Sequence, residues 1–241
     1  MLRITDARTG QPVDAAPARR GLTRVEAHTQ GFDPTNLRVL LVADLLVRAL
    51  ELGGTPVWAL LKGERQQAEL RAAGAALGVR PFEDGRDSGT GLGEAQVLHV
   101  VSEGGETPDG VRVRVAPVRG EASGPPDGTD PAVLRLTLLA HPRNRTVTVG
   151  PATLGEAGDT LGRWRRAVAG WAHRPSRPVP DPVRAELRTA WEDDLDTVRV
   201  LSVLHAVETD PGMADGARFE TYAYADRLLG LDLTRDLGSP A

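Results

Sequence analysis

Thr23-Arg24-Val25-Glu26-Ala27-His28, Gly31-Phe32-Asp33-Pro34-Thr35-Asn36, the run from Leu37 to Leu50, and Thr55-Pro56-Val57-Trp58-Ala59-Leu60-Leu61 together decide the fold. The first six residues alternate as a half-buried strand does. The next six turn into a helix, with Asp33 or Thr35 as its N-cap candidate. Between Leu37 and Leu50 only Arg38, Asp44 and Arg48 are not apolar, so this helix is apolar nearly all round and must be covered on more than one side. Gly53-Gly54 supplies a left-handed stop, and the segment from Thr55 reads as a buried strand. Strand, helix and strand joined this way make a right-handed crossover onto a parallel sheet.

Working outward, Glu64 to Leu77 is an alanine-rich helix, Gln96 to Val101 a third strand, and Val111 to Val115 a strand alternating toward solvent. Residues 82–94 and 120–129 read as loops. Gly89-Thr90-Gly91-Leu92-Gly93 lacks the Gly-x-Gly-x-x-Gly spacing and no apolar helix follows it, so it reads as a plain loop and not a phosphate cradle. Asp130 to Ala140 is a short helix. Beyond Pro151, Leu154, Ala157, Leu161, Trp164, Val168 and Trp171 recur at spacings of three and four, which is a bundle seam. A stiff linker of Pro175, Pro178, Pro180 and Pro182 precedes helices expected over Val183–Glu208 and Ala217–Leu229. The reading is an α/β chain: residues 1–140 form a shortened, Rossmann-like parallel-sheet unit, and residues 141–241 a small helical bundle with its Pro-rich linker near 174–182.

In 241 residues, 40% hydrophobic and 26% charged is the composition of an ordinary soluble globule. No apolar run approaches the roughly 20 residues of a bilayer span, and the opening residues lack a signal-peptide core, so the expectation is a cytoplasmic protein without membrane contact. There is no cysteine, which excludes disulfides, thiolate nucleophiles and cysteine-ligated zinc. Of 29 basic residues Lys62 is the only lysine, so lysine chemistry rests there or nowhere. His28, His99, His141, His173 and His205 are scattered, with no helical i, i+4 pair, so neither a metal nor a cofactor is expected. His28 ends the first strand, where open α/β sheets bind ligands, and is a candidate contact; His99, inside an apolar strand, reads as structural. Asp193, Asp194 and Asp196, on adjacent faces of an expected helix, read as a solvated surface or a helix-pairing contact and not a cation site. Residues 181–241 carry 13 Asp and Glu against 6 Arg, which argues against nucleic acid.

Four segments, in order, resemble the cysteinyl-tRNA synthetases and the related ligase of mycothiol synthesis that joins cysteine to an aminoglycoside. Met1 to Gly10 looks like that family's N-terminal strand and turn. Val42 to Gly54 is similar to the helix after its nucleotide-binding signature. Asp130 to Leu139, with Leu161-Gly162-Arg163-Trp164, resembles the segment following the KMSKS loop. Ala190-Trp191-Glu192-Asp193-Asp194-Leu195-Asp196-Thr197 looks like the acidic motif of its C-terminal bundle. The resemblance implies a class I synthetase, HUP-type fold.

The departures bear on activity. Counting back without gaps from Asp44 and Arg48 puts Asp33-Pro34-Thr35-Asn36 where the family has its HIGH signature, with Arg38 matching the arginine after it. The family's signature imidazoles stabilise phosphate as the adenylate forms; here they are replaced, and Asp33 would repel phosphate. The KMSKS lysines and the cysteine ligands of the family's zinc are absent. The interval from Leu61 to Asp130 is far shorter than in the family. These departures imply a non-catalytic paralogue that binds a small ligand or a protein partner, without tight tRNA binding. The alternative is an ATP-dependent, amino-acid-activating ligase or transferase with a rebuilt site. In either case His28, Asp33, Thr35, Asn36 and Arg38 are the candidate ligand contacts.

Overall fold

The computed structural model describes residues 1–17, 21–85, 94–105, 107–120 and 130–238. The Gly89 to Gly93 loop and residues 121–129 lie outside them. A two-stranded antiparallel ribbon, β1 (Arg3–Thr5) and β2 (Pro12–Asp14), opens the chain. Then come β3 (Leu22–His28), α1 (Pro34–Leu52), β4 (Val57–Lys62), α2 (Gln67–Ala76), β5 (Glu83–Asp84), β6 (Glu94–Ser102) and β7 (Val111–Val115). The five strands β3 to β7 form one parallel sheet in the order β5-β4-β3-β6-β7. The expected Rossmann-like sheet is therefore present, with β3 at its centre. Glu83–Asp84, read from sequence as loop, adds a short edge strand beside β4, because two backbone pairings there cost little side-chain commitment.

Side chains alternate across a strand, so each face has its own character. Val25, Ala27, Leu61, Leu98, Val100, Val113 and Val115 join the core beneath α1. From Asn36 to Leu50 every residue of α1 except Arg48 is buried, as its all-round apolarity requires. The opposite face carries Arg24, Glu26, His28, Lys62, His99 and Arg112 in register across three strands and β7.

After β8 (Val118–Arg119), α3 (Pro131–Leu139) and β9 (Val147–Thr148), the chain is helical: α4 (Pro151–Trp171), α5 (Asp181–Glu192), α6 (Thr197–Thr209) and α7 (Asp215–Leu229). The α4 seam is buried at Ala157, Leu161, Trp164 and Val168. Trp164 and Trp171 both pack edge-on against Tyr222 of α7, whose hydroxyl donates to the Leu204 carbonyl at 2.8 Å. The one helix expected over Val183–Glu208 is two. Asp194 and Leu195 take positive φ angles of 56° and 58°, which ends α5, and the Asp196 side chain then caps α6 by accepting from Arg199 N. The acidic motif is accordingly no helix face. Asp194 accepts from Thr5 N at 2.8 Å and pairs with Arg143, and Asp193 bridges to Arg3, so these residues tie β1 to the bundle. No helix among the described residues is long and apolar enough to cross a membrane.

Candidate functional site

The candidate contacts of the first α1 turn are bound into the fold. Asp33 sits in extended backbone as the N-cap of α1. One of its carboxylate oxygens accepts from Asn36 N at 2.8 Å, the other from Asn36 Nδ2 at 2.6 Å. Thr35 Oγ1 accepts from Val118 N at 3.1 Å, fixing α1 to β8. Arg38 is 1% exposed, and its guanidinium donates to the carbonyls of Ala116, His141, Pro142 and Arg145. Burial pulls its pKa down to about 10, so it stays charged at neutral pH. Arg38 thus clasps the segment from β7 to β9 against α1. The arginines around Trp164 are similarly engaged: Arg163 pairs with Glu208, and Arg165 with Asp130.

His28 is placed differently. Its strand alternation puts it on the same face as Glu26, and the β3–β6 register sets Glu26 opposite His99. His28 Nε2 lies 3.0 Å from His99 Nδ1, and both nitrogens lie 3.2 Å from Glu26 Oε2. The other carboxylate oxygen faces Arg24 Nε at 3.2 Å and Lys62 Nζ at 3.7 Å. Glu26 and His99 are buried, and His28 retains a partly open edge. Burial alone would raise the Glu26 pKa. The bonds with His28 and His99 and the charges of Lys62 and Arg24 outweigh it and hold the carboxyl well below its ordinary range.

Sequence reading gave His28 as a candidate and His99 as structural, and it missed Glu26 and their convergence. The available signal was the shared parity of Glu26 and His28; the missing one was the pairing of β3 with β6. The family's zinc, by contrast, does not fit this chain, since its thiolate ligands have no counterpart among residues that include no cysteine.

Comparison with known proteins points in one direction. Over 111 residues, 44% of its length, the chain is 37% identical to an L-cysteine:1D-myo-inositol 2-amino-2-deoxy-alpha-D-glucopyranoside ligase of Streptomyces scabiei. The corresponding ligase of Gordonia bronchialis is 38% identical over 110 residues, and that of Cellulomonas flavigena 36% over 110. This chain is similar to cysteine ligases. The match takes in about a quarter of each ligase's length, 25% or 26%. No protein-family model matches the chain. The resemblance read from the four segments and the parallel sheet are consistent with this similarity.

Proposed function

We propose that the chain is a shortened relative of the cysteine ligases that does not form an adenylate and works by binding a small ligand or a protein partner. The observation that carries this reading is the closed N-terminus of α1. A phosphate-binding helix end needs free N–H groups and a site open to negative charge. Here the Asp33 carboxylate already holds Asn36 N and places its own charge at that end. Arg38, which matches the arginine beyond the family's signature, is turned inward to four carbonyls. Residues 1–140 are the ligand-bearing unit in this reading and residues 141–241 the supporting bundle. Tight tRNA binding is not expected, because the acidic charge of residues 181–241 opposes phosphate. The same reading places the protein in the cytoplasm.

The test is cysteine-dependent exchange of pyrophosphate into ATP. Missing signature imidazoles, loop lysines and the family's thiolate-bound zinc each remove roughly 2–4 kcal/mol of transition-state stabilisation, so exchange should equal the no-enzyme blank. Exchange well above the blank, abolished in Asn36→Ala, would establish a working ligase with a rebuilt site instead.

A further inference from the structure

Three ligand-type atoms meet on the sheet face turned away from α1: Oε2 of Glu26, Nε2 of His28 and Nδ1 of His99, mutually 3.0–3.2 Å apart. Protons cannot satisfy this triangle. A hydrogen bond needs a hydrogen on one atom and a lone pair on the other, and each of these atoms presents only one of the two toward the centre. Donor and acceptor cannot alternate around three members. With Glu26 ionised, at least one edge sets like against like in every protonation state of the two rings.

The surroundings narrow the choice further. His99 Nε2 lies 3.3 Å from the Asp109 carbonyl, which can only accept, so the neutral ring carries its hydrogen there and turns the Nδ1 lone pair toward Glu26. Gly110 makes that approach possible: at its φ of +145° an added Cβ would lie 2.9 Å from His99 Nε2. A hydrogen bond from Nδ1 to the carboxylate oxygen at 3.2 Å therefore requires the doubly protonated, charged ring, whereas the neutral ring offers a lone pair to an ion beside that oxygen.

From this geometry we propose that Glu26, His28 and His99 bind one divalent transition-metal ion, with zinc as the test case. At metal–ligand distances of roughly 2.0–2.2 Å, atoms so spaced subtend about 90–100° at the ion, as three neighbouring positions of one coordination shell do. Two imidazoles and a carboxylate suit zinc, cobalt and nickel better than calcium or magnesium. Donation of the outer His99 N–H to a carbonyl is the usual support for a ligating imidazole. Arg24 and Lys62 hold Oε1 and leave Oε2 to the ion. Their charges oppose a dication, so the affinity should be micromolar and not the far tighter binding of cysteine-rich sites. Three protein ligands leave a coordination position at the open edge of His28 for water or a ligand oxygen or nitrogen. The proposal gives the binding role above a chemistry, and its test reads the metal alone, independently of adenylation.

The experiment is calorimetric titration of the full chain with zinc chloride, repeated with cobalt and followed by its visible absorption. One ion per chain is expected, with affinity falling at least about 10-fold in His28→Gln and in Glu26→Gln. His28 is partly exposed, so His28→Gln should keep its fold, which circular dichroism checks. His173→Gln and His205→Gln, at exposed positions, should bind as wild type does. Absence of uptake would overturn the proposal. So would undiminished affinity in a folded His28→Gln protein, or uptake that falls only in the exposed-histidine variants.

Discussion

The Asp44 carboxylate of α1 and the Arg135 guanidinium of α3 meet at 3.0 Å with neither side chain exposed to solvent. Arg48 and Arg80 reach the same carboxylate at 2.8 and 3.2 Å. Arg135 also donates from Nη1 to the Leu77 carbonyl and from Nε to the Leu229 carbonyl. One ion pair therefore joins the core helix, the turn after α2, α3 and the end of α7. Breaking one member of such a pair strands the other in the interior. Asp44→Ala should cost about 3–5 kcal/mol, because it leaves Arg135 buried and unpaired. Arg135→Met should cost less, since Asp44 keeps Arg48 and Arg80. Urea unfolding of the two variants checks the order.

The same pair contributes to the response to acid. Burial alone would raise the Asp44 pKa, but Arg135 and Arg48 outweigh it and hold the carboxyl below its ordinary range. A carboxyl lowered in the folded state stabilises fully above its unfolded pKa, near about 4, and loses that contribution as pH falls through the folded value. Asp130 acts in the same direction: burial again opposes, and Arg165, the Ala132 amide and Arg235 prevail. Asp226 acts the other way, since burial there outweighs its backbone bonds and raises its pKa, so acid relieves a cost. The expected net result is stability that declines below about pH 4, with a shallower decline in Asp44→Asn. Unfolding midpoints measured across that range decide it. Equal slopes for wild type and variant would show that Asp44 is not the group responsible.

Much of the sheet was legible because its elements follow single periods. The all-round apolar α1 and the buried strands β4 and β6 can be read from patterning alone. The break between α5 and α6 could not be read that way. Residues 191–197 keep helical composition, and the positive φ at Asp194 and Leu195 leaves no mark on a periodicity. What holds Asp194 there comes from residues 189 and 51 positions away, at Thr5 and Arg143. The candidate site was half legible for the same reason. Alternation puts Glu26 and His28 on one face, but His99 reaches them only because β6 pairs with β3 after β4 and β5 have been laid down on the other side.

That long-range role of Asp194 can be measured. Asp194→Ala removes the acceptor of Thr5 N and the partner of Arg143. A lost acceptor for a part-buried backbone N–H, together with a half-buried charge pair, should cost about 1–3 kcal/mol. Amide hydrogen exchange is the sharper readout: protection should drop at Thr5. If Thr5 N stays protected in the variant, the Asp194 carboxylate is not what holds β1.

The final prediction concerns the α1 N-terminus. Asp33 and asparagine are equivalent N-caps, so Asp33→Asn should preserve the helix start, with the amide oxygen still accepting from Asn36 N. What changes is charge. A carboxylate within the first turn cancels part of the helix-end attraction for anions, and removing it should strengthen phosphate binding by about 1 kcal/mol, or roughly fivefold in Kd. The partner amide of Asn36 must turn so that its oxygen meets the new Nδ2, which frees Gln30 N from a long 3.4 Å contact and gives an incoming phosphate one more donor. Calorimetric titration of wild type and Asp33→Asn with AMP and ATP should therefore show weak binding that tightens in the variant and weakens again with added salt. An unchanged affinity, or a nucleotide located away from the turn between His28 and Asn36, would mean that the N-terminus of α1 has no part in ligand capture here. Binding would then have to be sought on the opposite sheet face, around Glu26 and His99.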